Sequence, residues 1–378
     1  MELIRPKDPP LFVSISPIFD NIQVFTGNNQ EHVLYELLVI NGTKDPVRIS
    51  FVKISGFTCK HKKVFKDIIS DQDLTDRFSK ISTANSTLPE DPVLNPNETG
   101  IIYLLLDFND KIPNFIKHEI IVQTEDDPST IQSIILDPIK LNKNQAIIIS
   151  PPLKGHNWFA SGADDDFVPH RRTIFILNGK IKIPERTAVD FLKYGPNGLY
   201  DGDPLKNTSY YSYGRTIYSP CDGKIISLMN DISENIPTIP IKEPVTSKNI
   251  GGNYVLIKID DEHYAFLAHM IPGSIKVKIG DEVKVGQKLG LLGNSGQSQL
   301  PHLHFHISNK PDRIGIYKEL SPINAQGIPW VFDKFVLNKY IPIGESIIGP
   351  ILPENVEIIS KKIVKNQILI NENLVDFK

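Results

Sequence analysis

Cysteine, excess positive charge and long apolar runs are all scarce in this 378-residue chain. Its two cysteines, Cys59 and Cys221, lie far apart and form no CxxC pair, which argues against a cysteine-based zinc site or a disulfide framework. The formal net charge is -3 without a dense basic stretch, so the composition does not indicate a nucleic-acid partner. No window approaches the ~20 apolar residues of a membrane-spanning helix, and we expect no membrane span.

The amino terminus also lacks the features of a secretory signal. The segment "MELIRPKDPPLFVSISPIFD" has no basic start, no apolar stretch and no small-residue cleavage site. A protein that stays inside, one whose signal has been removed and one exported by another route all fit this pattern. The sequence therefore leaves the compartment open, and it is equally silent on oligomeric state.

The chain does contain many short β-rich segments separated by polar turns, with few helical patterns. Up to about residue 145 these include "HVLYELLVIN", "PVRISFVKIS", "TGIIYLLLDF" and "HEIIVQT". Short strands at such regular spacing predict an immunoglobulin-like β-sandwich. Three isolated histidines in this region show no site chemistry and are interpreted as surface residues: His32, His61 and His118.

A boundary is predicted where Pro151 and Pro152 interrupt the strand pattern. We therefore expect a sandwich domain at residues 1–148, a second β domain at 149–315 and a carboxyl-terminal β extension at 316–378 that packs on the second domain. Within the second domain, the Pro-rich segment 230–249 is predicted to be a long surface loop, and Asp164–Asp166 a solvated acidic loop.

Histidines are concentrated in the second domain, which holds seven of the chain's ten. The densest group lies in "PHLHFHI" at residues 301–307. Side chains in a strand alternate between faces, so His302, His304 and His306 would share one face. Imidazole is the commonest side-chain zinc ligand and the commonest general acid or base near neutral pH. Three imidazoles in register therefore predict a chemical site.

Two other segments carry residues suited to the same site. The apolar segment "YAFLAHM" places His269 near its end, ahead of the glycine-rich "GDEVKVGQKLGLLGNSG". The segment "RTAVDF" places Asp190 among apolar neighbours. A carboxylate there is costly to bury unless it is paired, hydrogen-bonded or bound to a metal.

In this order, "RTAVDF", "YAFLAHM", "GDEVKVGQKLGLLGNSG" and "PHLHFHI" resemble the lysostaphin-type (LytM-like) zinc metallopeptidases over roughly residues 155–310. The resemblance implies an antiparallel β domain (a duplicated hybrid motif) with a groove across one sheet. It implies one zinc ion with Asp190 and His304 as ligands, and His269 and His302 as catalytic histidines. His306 is expected outside the ligand set, either supporting it or at the surface.

The resemblance also implies the reaction. It is the hydrolysis of peptide bonds, with peptidoglycan stem peptides or cross-bridges as substrate. A wall substrate implies an extracytoplasmic location.

One position departs from the family pattern. The family's first ligand is a histidine four residues before the aspartate, and here that residue is Arg186, which has no lone pair for a metal. We expect His170 to replace it, because the Asn178-Gly179 dipeptide predicts a hairpin whose paired residues sum to about 357. In that register His170 begins a strand and lies opposite residue 187. Arg186 is then expected to bind a substrate carboxylate or to anchor Asp190.

Among the tyrosines near this segment, Tyr211 is a further candidate. A phenol beside the groove could donate a hydrogen bond to the substrate oxyanion, whereas a core or surface position would give it no such role.

Two other functions compete with the peptidase. A degenerate LytM-like domain would bind cell wall or regulate a partner hydrolase without catalysis; the presence of Asp190, His269, His302 and His304 together favours the enzyme. A lipoyl or biotinyl carrier shares the "GDEVKVGQKLG" block but needs a lysine beside Met or Asp at a hairpin tip, and that tripeptide is missing here.

Overall fold

The computed structural model describes residues 12–81, 89–109, 111–162, 169–241, 245–315, 320–348, 352–369 and 373–378. The acidic run Asp164–Asp166 lies outside these ranges. The fold is mainly β, which confirms the predicted class. Of the helices in the described ranges, none has the length and apolar character needed to cross a membrane.

The chain divides into two compact units. Met1–Val24 and Gln30–Gln145 form the first unit, and Phe25–Asn29 and Ala146–Lys378 form the second. The three-domain division expected from the sequence stays a prediction.

The described residues up to 145 form these elements in chain order: β1 (Val13–Pro17), β2 (Phe25–Gly27), β3 (Gln30–Asn41), β4 (Val47–Phe57), β5 (Lys63–Ser70), α1 (Asp71–Asp76), β6 (Phe78–Lys80), β7 (Val93–Leu94), β8 (Thr99–Phe108), β9 (Phe115–Thr124), β10 (Ile131–Ile135) and β11 (Ile139–Lys140). The strand β2 belongs to the second unit.

Two antiparallel sheets make up the first unit, in the strand orders β1-β3-β8-β6 and β10-β9-β4-β5. Both contribute side chains to one hydrophobic core, for example Val33 and Leu37 from one sheet and Val52 and Ile120 from the other. Alternating burial along β4 reflects the two-residue period of a strand with one face on that core. The immunoglobulin-like assignment stays a prediction.

Two of the three histidines expected on the surface of this unit are buried. His118 retains 1% and His32 3% of its exposure, so the surface prediction is wrong for both, whereas His61 is exposed. Each buried ring has a polar partner: His118 Nε2 lies 2.7 Å from the Tyr35 hydroxyl, and His32 Nδ1 lies 2.6 Å from Asp107 Oδ1. Such pairing reduces the cost of burying an imidazole.

The second unit continues with these elements: β12 (Ile147–Ile149), β13 (Gly155–Ser161), α2 (Pro169–Arg172), β14 (Phe175–Leu177), β15 (Lys180–Lys182), β16 (Val189–Lys193), a 3₁₀ turn (Asn207–Ser209), β17 (Thr216–Tyr218), β18 (Gly223–Met229), β19 (Asn253–Lys258), β20 (Tyr264–Met270), β21 (Glu282–Val283), β22 (Lys288–Leu291), β23 (Leu303–Ser308), β24 (Asp312–Arg313), β25 (Leu320–Ser321), β26 (Trp330–Phe332), β27 (Phe335–Ile348), β28 (Leu352–Val364) and β29 (Asn373–Phe377).

Its main sheet has the order β21-β18-β19-β20-β23-β16-β13-β29-β27-β28. The last three strands of the chain therefore extend the same sheet that carries the histidine strand β23. One face of β23 is fully apolar and buried: Leu303 and Phe305 have no exposed surface, and the Phe305 ring packs against Trp330 at 5.0 Å. The histidines alternate with these residues and lie on the other face, which is called the histidine face below.

Candidate active site

Three side chains from distant parts of the sequence meet on the histidine face. Asp190 in β16 pairs directly opposite His304 in β23, and its Oδ1 lies 3.0 Å from His304 Nδ1. Its other oxygen, Oδ2, lies 3.2 Å from His170 Nε2. The three donor atoms all lie within 4.8 Å of one another. The structure thus brings together the three residues expected to bind metal.

This donor set fits a divalent metal ion such as zinc. Catalytic zinc sites use three histidine or carboxylate ligands and keep one position open. Ligands about 2.1 Å from a tetrahedral ion lie roughly 3.4 Å from each other, so separations of 3.0 and 3.2 Å need only small adjustments. Asp190 keeps 23% of its side-chain exposure, which leaves the cluster open to solvent.

His170 reaches this cluster from a helical turn, so the prediction that it begins a strand is wrong. The predicted hairpin does form in the predicted register, with Phe175 opposite Lys182 and a turn at Asn178 (φ 51°) and Gly179 (φ 73°). However, its strands are only three residues long, and the chain before them forms α2. This helix begins at Pro169, whose fixed φ suits a first helical position.

A glycine that the sequence reasoning missed makes room for His170. Gly162 has a φ of +70°, and a Cβ atom on it would lie 2.4 Å from His170 Nδ1. Its carbonyl oxygen lies 3.4 Å from the same nitrogen. A side chain at this position would strain the backbone and displace the imidazole. In the sequence, this position is only a glycine two residues before the acidic run, and it does not indicate a contact with His170.

Burial opposes charge on His170 and Asp190, but their mutual attraction is stronger. Burial lowers the pKa of His170, yet the Asp190 carboxylate outweighs this effect and raises the pKa to about 9. Burial also raises the pKa of Asp190, but the charge of His170 and the hydrogen bonds from His170 and His304 reverse this and hold its pKa well below the usual range. Asp190 is therefore ionised, as a metal ligand must be.

The two histidines expected to be catalytic lie beside this cluster with defined tautomers. His269 Nδ1 donates to the Ser295 carbonyl at 2.7 Å, and His302 Nδ1 donates to the Leu300 carbonyl at 2.8 Å. Because a carbonyl can only accept, the lone pair of each ring is on Nε2. The rings are 4.7 Å apart, and His302 Nε2 lies 3.5 Å from Asp190 Oδ1. Burial lowers the pKa of both histidines and keeps them neutral.

His269 reaches the histidine face through an unusual backbone conformation. Strand alternation would place it on the face opposite Ala268, which pairs with His304. Its φ of +64° breaks that alternation, and its ring lies 5.8 Å from the ring of His304. A non-glycine residue in this region costs about 1–3 kcal/mol and is commonest at functional sites.

His306 contacts the cluster through His304. Its Nδ1 lies 3.0 Å from His304 Nε2, so the two nitrogens of His304 face His306 and Asp190. Burial lowers the pKa of His306 well below its usual value, and the ring stays neutral. Its Nε2 is buried without a hydrogen-bond partner in the described part of the chain. The structure thus places His306 inside the site and not at the surface.

A buried polar network, also missed, holds the His302 ring. Ser298 Oγ lies 3.2 Å from His302 Nδ1 and donates to Asn294 Oδ1 at 2.6 Å. Asn294 in turn donates to Asn207 Oδ1 at 2.9 Å. The "GNSGQS" sequence reads as a turn, and no local pattern reveals that its side chains are buried.

Arg186 and Tyr211 have packing and hydrogen-bond partners outside the proposed ligand set. Arg186 is 3% exposed and donates to the Gly327 carbonyl at 2.7 Å and to Gln326 Oε1 at 3.2 Å. These two hydrogen bonds hold the segment that leads into β16 against residues 326–327. The ring of Tyr211 packs over Gly195, where a Cβ would approach it to 2.3 Å. Roles for both in substrate binding stay predictions.

Comparison with known proteins finds a family match for part of the chain. The model of peptidase family M23 matches residues 209–315, a span that includes His269, His302 and His304. Glycyl-glycine endopeptidase ALE-1 of Staphylococcus capitis is 30% identical over 115 residues, which is 30% of this chain and 27% of that protein. Lysostaphin of Staphylococcus simulans is 45% identical over 56 residues, or 15% of this chain and 11% of that protein. Residues 209–315 form a peptidase family M23 domain.

Another curated relative also aligns with only a small part of the chain. Peptidoglycan DD-endopeptidase ShyA of Vibrio cholerae is 33% identical over 78 residues, which is 21% of this chain and 17% of that protein. The chain thus spans about a quarter or less of the length of these curated relatives. Among solved structures, the catalytic domain of Staphylococcus simulans lysostaphin is 23% identical with a TM-score of 0.23, covering 40% of this chain and 80% of that one. A zinc-containing peptidase from Vibrio cholerae is 14% identical with a TM-score of 0.23, covering 83% of each chain.

Proposed function

We propose that the second unit is a zinc-dependent endopeptidase that hydrolyses peptide bonds in peptidoglycan stem peptides or cross-bridges. The observation that carries this proposal is the meeting of His170 Nε2, Asp190 and His304 Nδ1, whose donor atoms lie within 4.8 Å of one another. Two imidazoles and a carboxylate are a common ligand set of catalytic zinc, and these three residues would hold the ion. Zinc bound there would supply a Lewis acid that polarises the scissile carbonyl and acidifies a water molecule.

The neighbouring histidines supply the proton transfers. His269 and His302 each have a lone pair on Nε2, because each donates its Nδ1 proton to a backbone carbonyl. Both are neutral, so either can accept a proton from the attacking water and pass it to the leaving amine. Fixed hydrogen bonds hold both rings before substrate arrives, which reduces the reorganisation that the reaction requires.

The substrate class rests on the names of the relatives. ALE-1 is a glycyl-glycine endopeptidase and ShyA a peptidoglycan DD-endopeptidase. Both names describe hydrolysis within peptidoglycan, and we extend that class to this chain.

A non-catalytic regulator is the alternative, and the position of Arg186 is its main support. The guanidinium has no lone pair for zinc. Against this alternative, His170 offers a third donor beside Asp190, and His269 has a strained φ of +64°. These features favour an active centre.

The test combines metal analysis with wall digestion. We expect the purified protein to hold about one zinc ion per chain, the number that this ligand set predicts. It should also release peptides from isolated peptidoglycan. His170→Ala and His304→Ala should lose both properties, whereas His263→Ala should keep them, because His263 lies in a turn and pairs with Asp260. A zinc-free wild type that leaves the wall intact would refute the enzyme and favour the regulator.

A further inference from the structure

Lysines from three separate segments converge at one end of a sheet in the first unit. The segments are residues 55–66, 111–118 and 139–143, and together they contain no aspartate or glutamate. Their eight lysines are Lys60, Lys62, Lys63, Lys66, Lys111, Lys117, Lys140 and Lys143. The densest segment holds only four of them, fewer than a basic tail or arm needs, so it is the fold that makes a patch. This group is called the lysine patch below.

Strand pairing places part of the lysine patch on the outer face of the sheet. Two rows of directly opposed residues cross β5, β4, β9 and β11: Lys63-Phe57-Phe115-Lys140 and Lys66-Ser55-Lys117. Opposed residues project to the same side, and the alternate residues Ile54 and Ile116 are buried in the core, so both rows face solvent. Strands lie about 4.8 Å apart, so the first row spans about 14 Å and lies about 7 Å from the second.

The connecting segments bring the other lysines to the same end of the sheet. The loop before β9 bonds to both of its neighbours: Asn114 N–H donates to the Phe57 carbonyl at 2.7 Å, and the Asn114 carbonyl accepts from Leu141 N–H at 3.0 Å. Lys143 Nζ donates to the Ile112 carbonyl at 2.9 Å. The turn between β4 and β5 follows Phe57 directly. All three lysine-bearing segments therefore meet at one end of the unit.

No acidic side chain of the described residues neutralises the lysine patch. All eight lysines are exposed, and none has a described carboxylate within ion-pair distance. Two other lysines of the same unit do have such partners: Lys53 Nζ lies 3.4 Å from Glu119, and Lys80 Nζ lies 3.1 Å from Glu98. In a chain whose net charge is -3, an uncompensated cluster of this size attracts a polyanion.

The side chains of the lysine patch favour a polyanion without bases or lipid tails. The three segments contain no arginine, and lysine binds phosphate as a point charge without the two-pronged geometry of arginine. The patch has two aromatic rings, Phe57 and Phe115, and both are half-buried. Lys117 Nζ lies 5.6 Å from the centre of the Phe57 ring, and the His61 ring lies 6.0 Å from that of Phe115. These contacts leave little ring surface for base stacking or membrane insertion.

We infer that the lysine patch binds a phosphodiester polymer of the cell wall and thereby attaches the chain to the material that it degrades. The choice of a wall polymer rests on the proposed function, whereas the binding of a polyanion does not. Phosphates that repeat along a flexible chain can pair with the two lysine rows in turn. A second attachment raises the local concentration of wall peptides around the proposed active site.

Binding of the full chain to inorganic polyphosphate tests the patch without relying on hydrolysis. We expect affinity to fall roughly 100-fold or more as salt rises from about 50 to about 200 mM, because about six phosphate contacts release counterions. The triple variant Lys60→Gln, Lys62→Gln, Lys63→Gln should bind at least about tenfold more weakly at the lower salt. Its plot of log affinity against log salt should be about two units shallower.

A second triple variant controls for net charge. Lys276→Gln, Lys278→Gln, Lys288→Gln removes three exposed lysines from the second unit and should leave polyphosphate binding unchanged. Replacing Lys60, Lys62 and Lys63 by arginine should also leave it unchanged, because the charge remains. Equal losses in the two glutamine variants, or a loss in the arginine variant as large as in its glutamine counterpart, would overturn the inference.

Three further probes identify the source of the polyanion. Isolated walls that carry phosphodiester polymers should bind the chain, and removal of those polymers with hydrogen fluoride should weaken that binding at least about tenfold, as loss of several phosphate contacts predicts. Wall binding that is unchanged by this treatment would overturn the inference. Tighter binding to oligothymidylate or to phosphatidylglycerol vesicles than to polyphosphate, at equal phosphate concentration, would also overturn it.

Hydrolysis assays separate this inference from the proposed function. The Lys60, Lys62, Lys63 glutamine variant should cleave a short soluble wall peptide as fast as the wild type and digest intact walls more slowly. Patch-dependent binding to polyphosphate and walls in a protein that hydrolyses neither substrate would support the patch and refute the endopeptidase. Wall digestion and wall binding that are both unaffected by the variant would refute the patch and leave the endopeptidase in place.

Discussion

Gly162→Ala is expected to disable the metal centre without unfolding the protein. The added Cβ would lie 2.4 Å from His170 Nδ1, whereas ordinary contacts begin near 3.4 Å. The imidazole must therefore move by about 1 Å, and a displacement of that size can cost about 100-fold at a reacting centre. We expect zinc affinity to fall by about 10- to 100-fold, as when a group that orients a ligand is removed.

Backbone strain has to be separated from this displacement. Gly162 has a φ of +70°, and alanine there also costs about 1–2 kcal/mol of stability. Gly273→Ala is the matched control, because Gly273 has a φ of +72° and nothing within 4 Å of its added Cβ. Both variants should lose similar unfolding free energy in urea.

The assay is zinc titration against a competing chelator. Only Gly162→Ala should bind zinc more weakly, because only there does the new Cβ meet a proposed ligand. Equal zinc affinity in the two variants would refute the reasoning that His170 is a ligand held in place by the space at Gly162.

Three further outcomes follow from the same structure. Burial lowers the pKa of His118 to about 4, so between pH 6.5 and 4 the unfolded chain binds more protons than the folded one. As the pH falls through that range, the first unit should lose about 3 kcal/mol of unfolding free energy. His118→Gln should reduce that loss in urea unfolding followed at each pH, and an unchanged pH dependence would contradict the assignment. His306→Phe should weaken zinc binding about 10-fold, because the Nε2–H of His304 loses its acceptor. His306→Gln should recover part of the zinc affinity, because its amide oxygen can accept that hydrogen bond. Equal zinc affinities of the two variants in a chelator titration would exclude a role for His306 as acceptor. His302→Ala should retain zinc yet lose about 100-fold or more in peptide hydrolysis, since His302 supplies a base and no ligand; loss of zinc along with activity would assign it to the metal instead.

Local patterns predicted the parts of the site that lie within single strands. The alternation in "PHLHFHI" gave the shared face of His302, His304 and His306, because strand geometry has a fixed period of two. The Asn178-Gly179 turn gave the hairpin register for a similar reason, since the turn type fixes which residues pair. The mainly β class followed from the density of such segments.

Features that depend on long-range packing were not predictable. The pairing rule sets no limit on hairpin length, so it did not show that His170 lies in α2. The burial of His118 depends on Tyr35, which lies in a strand of the other sheet and far away in the sequence. The space beside Gly162 and the left-handed φ of His269 exist only because several elements converge there. Patterns within one sequence segment do not indicate which distant elements pack together.

The identity of the third metal ligand is the central claim, and a structure of the zinc-loaded protein with anomalous scattering at the zinc edge tests it most directly. We expect one ion about 2.1 Å from His170 Nε2, the Asp190 carboxylate and His304 Nδ1, with Arg186 still bound to Gly327. An ion held without His170, or anomalous density that lies away from Asp190 and His304, would contradict the account.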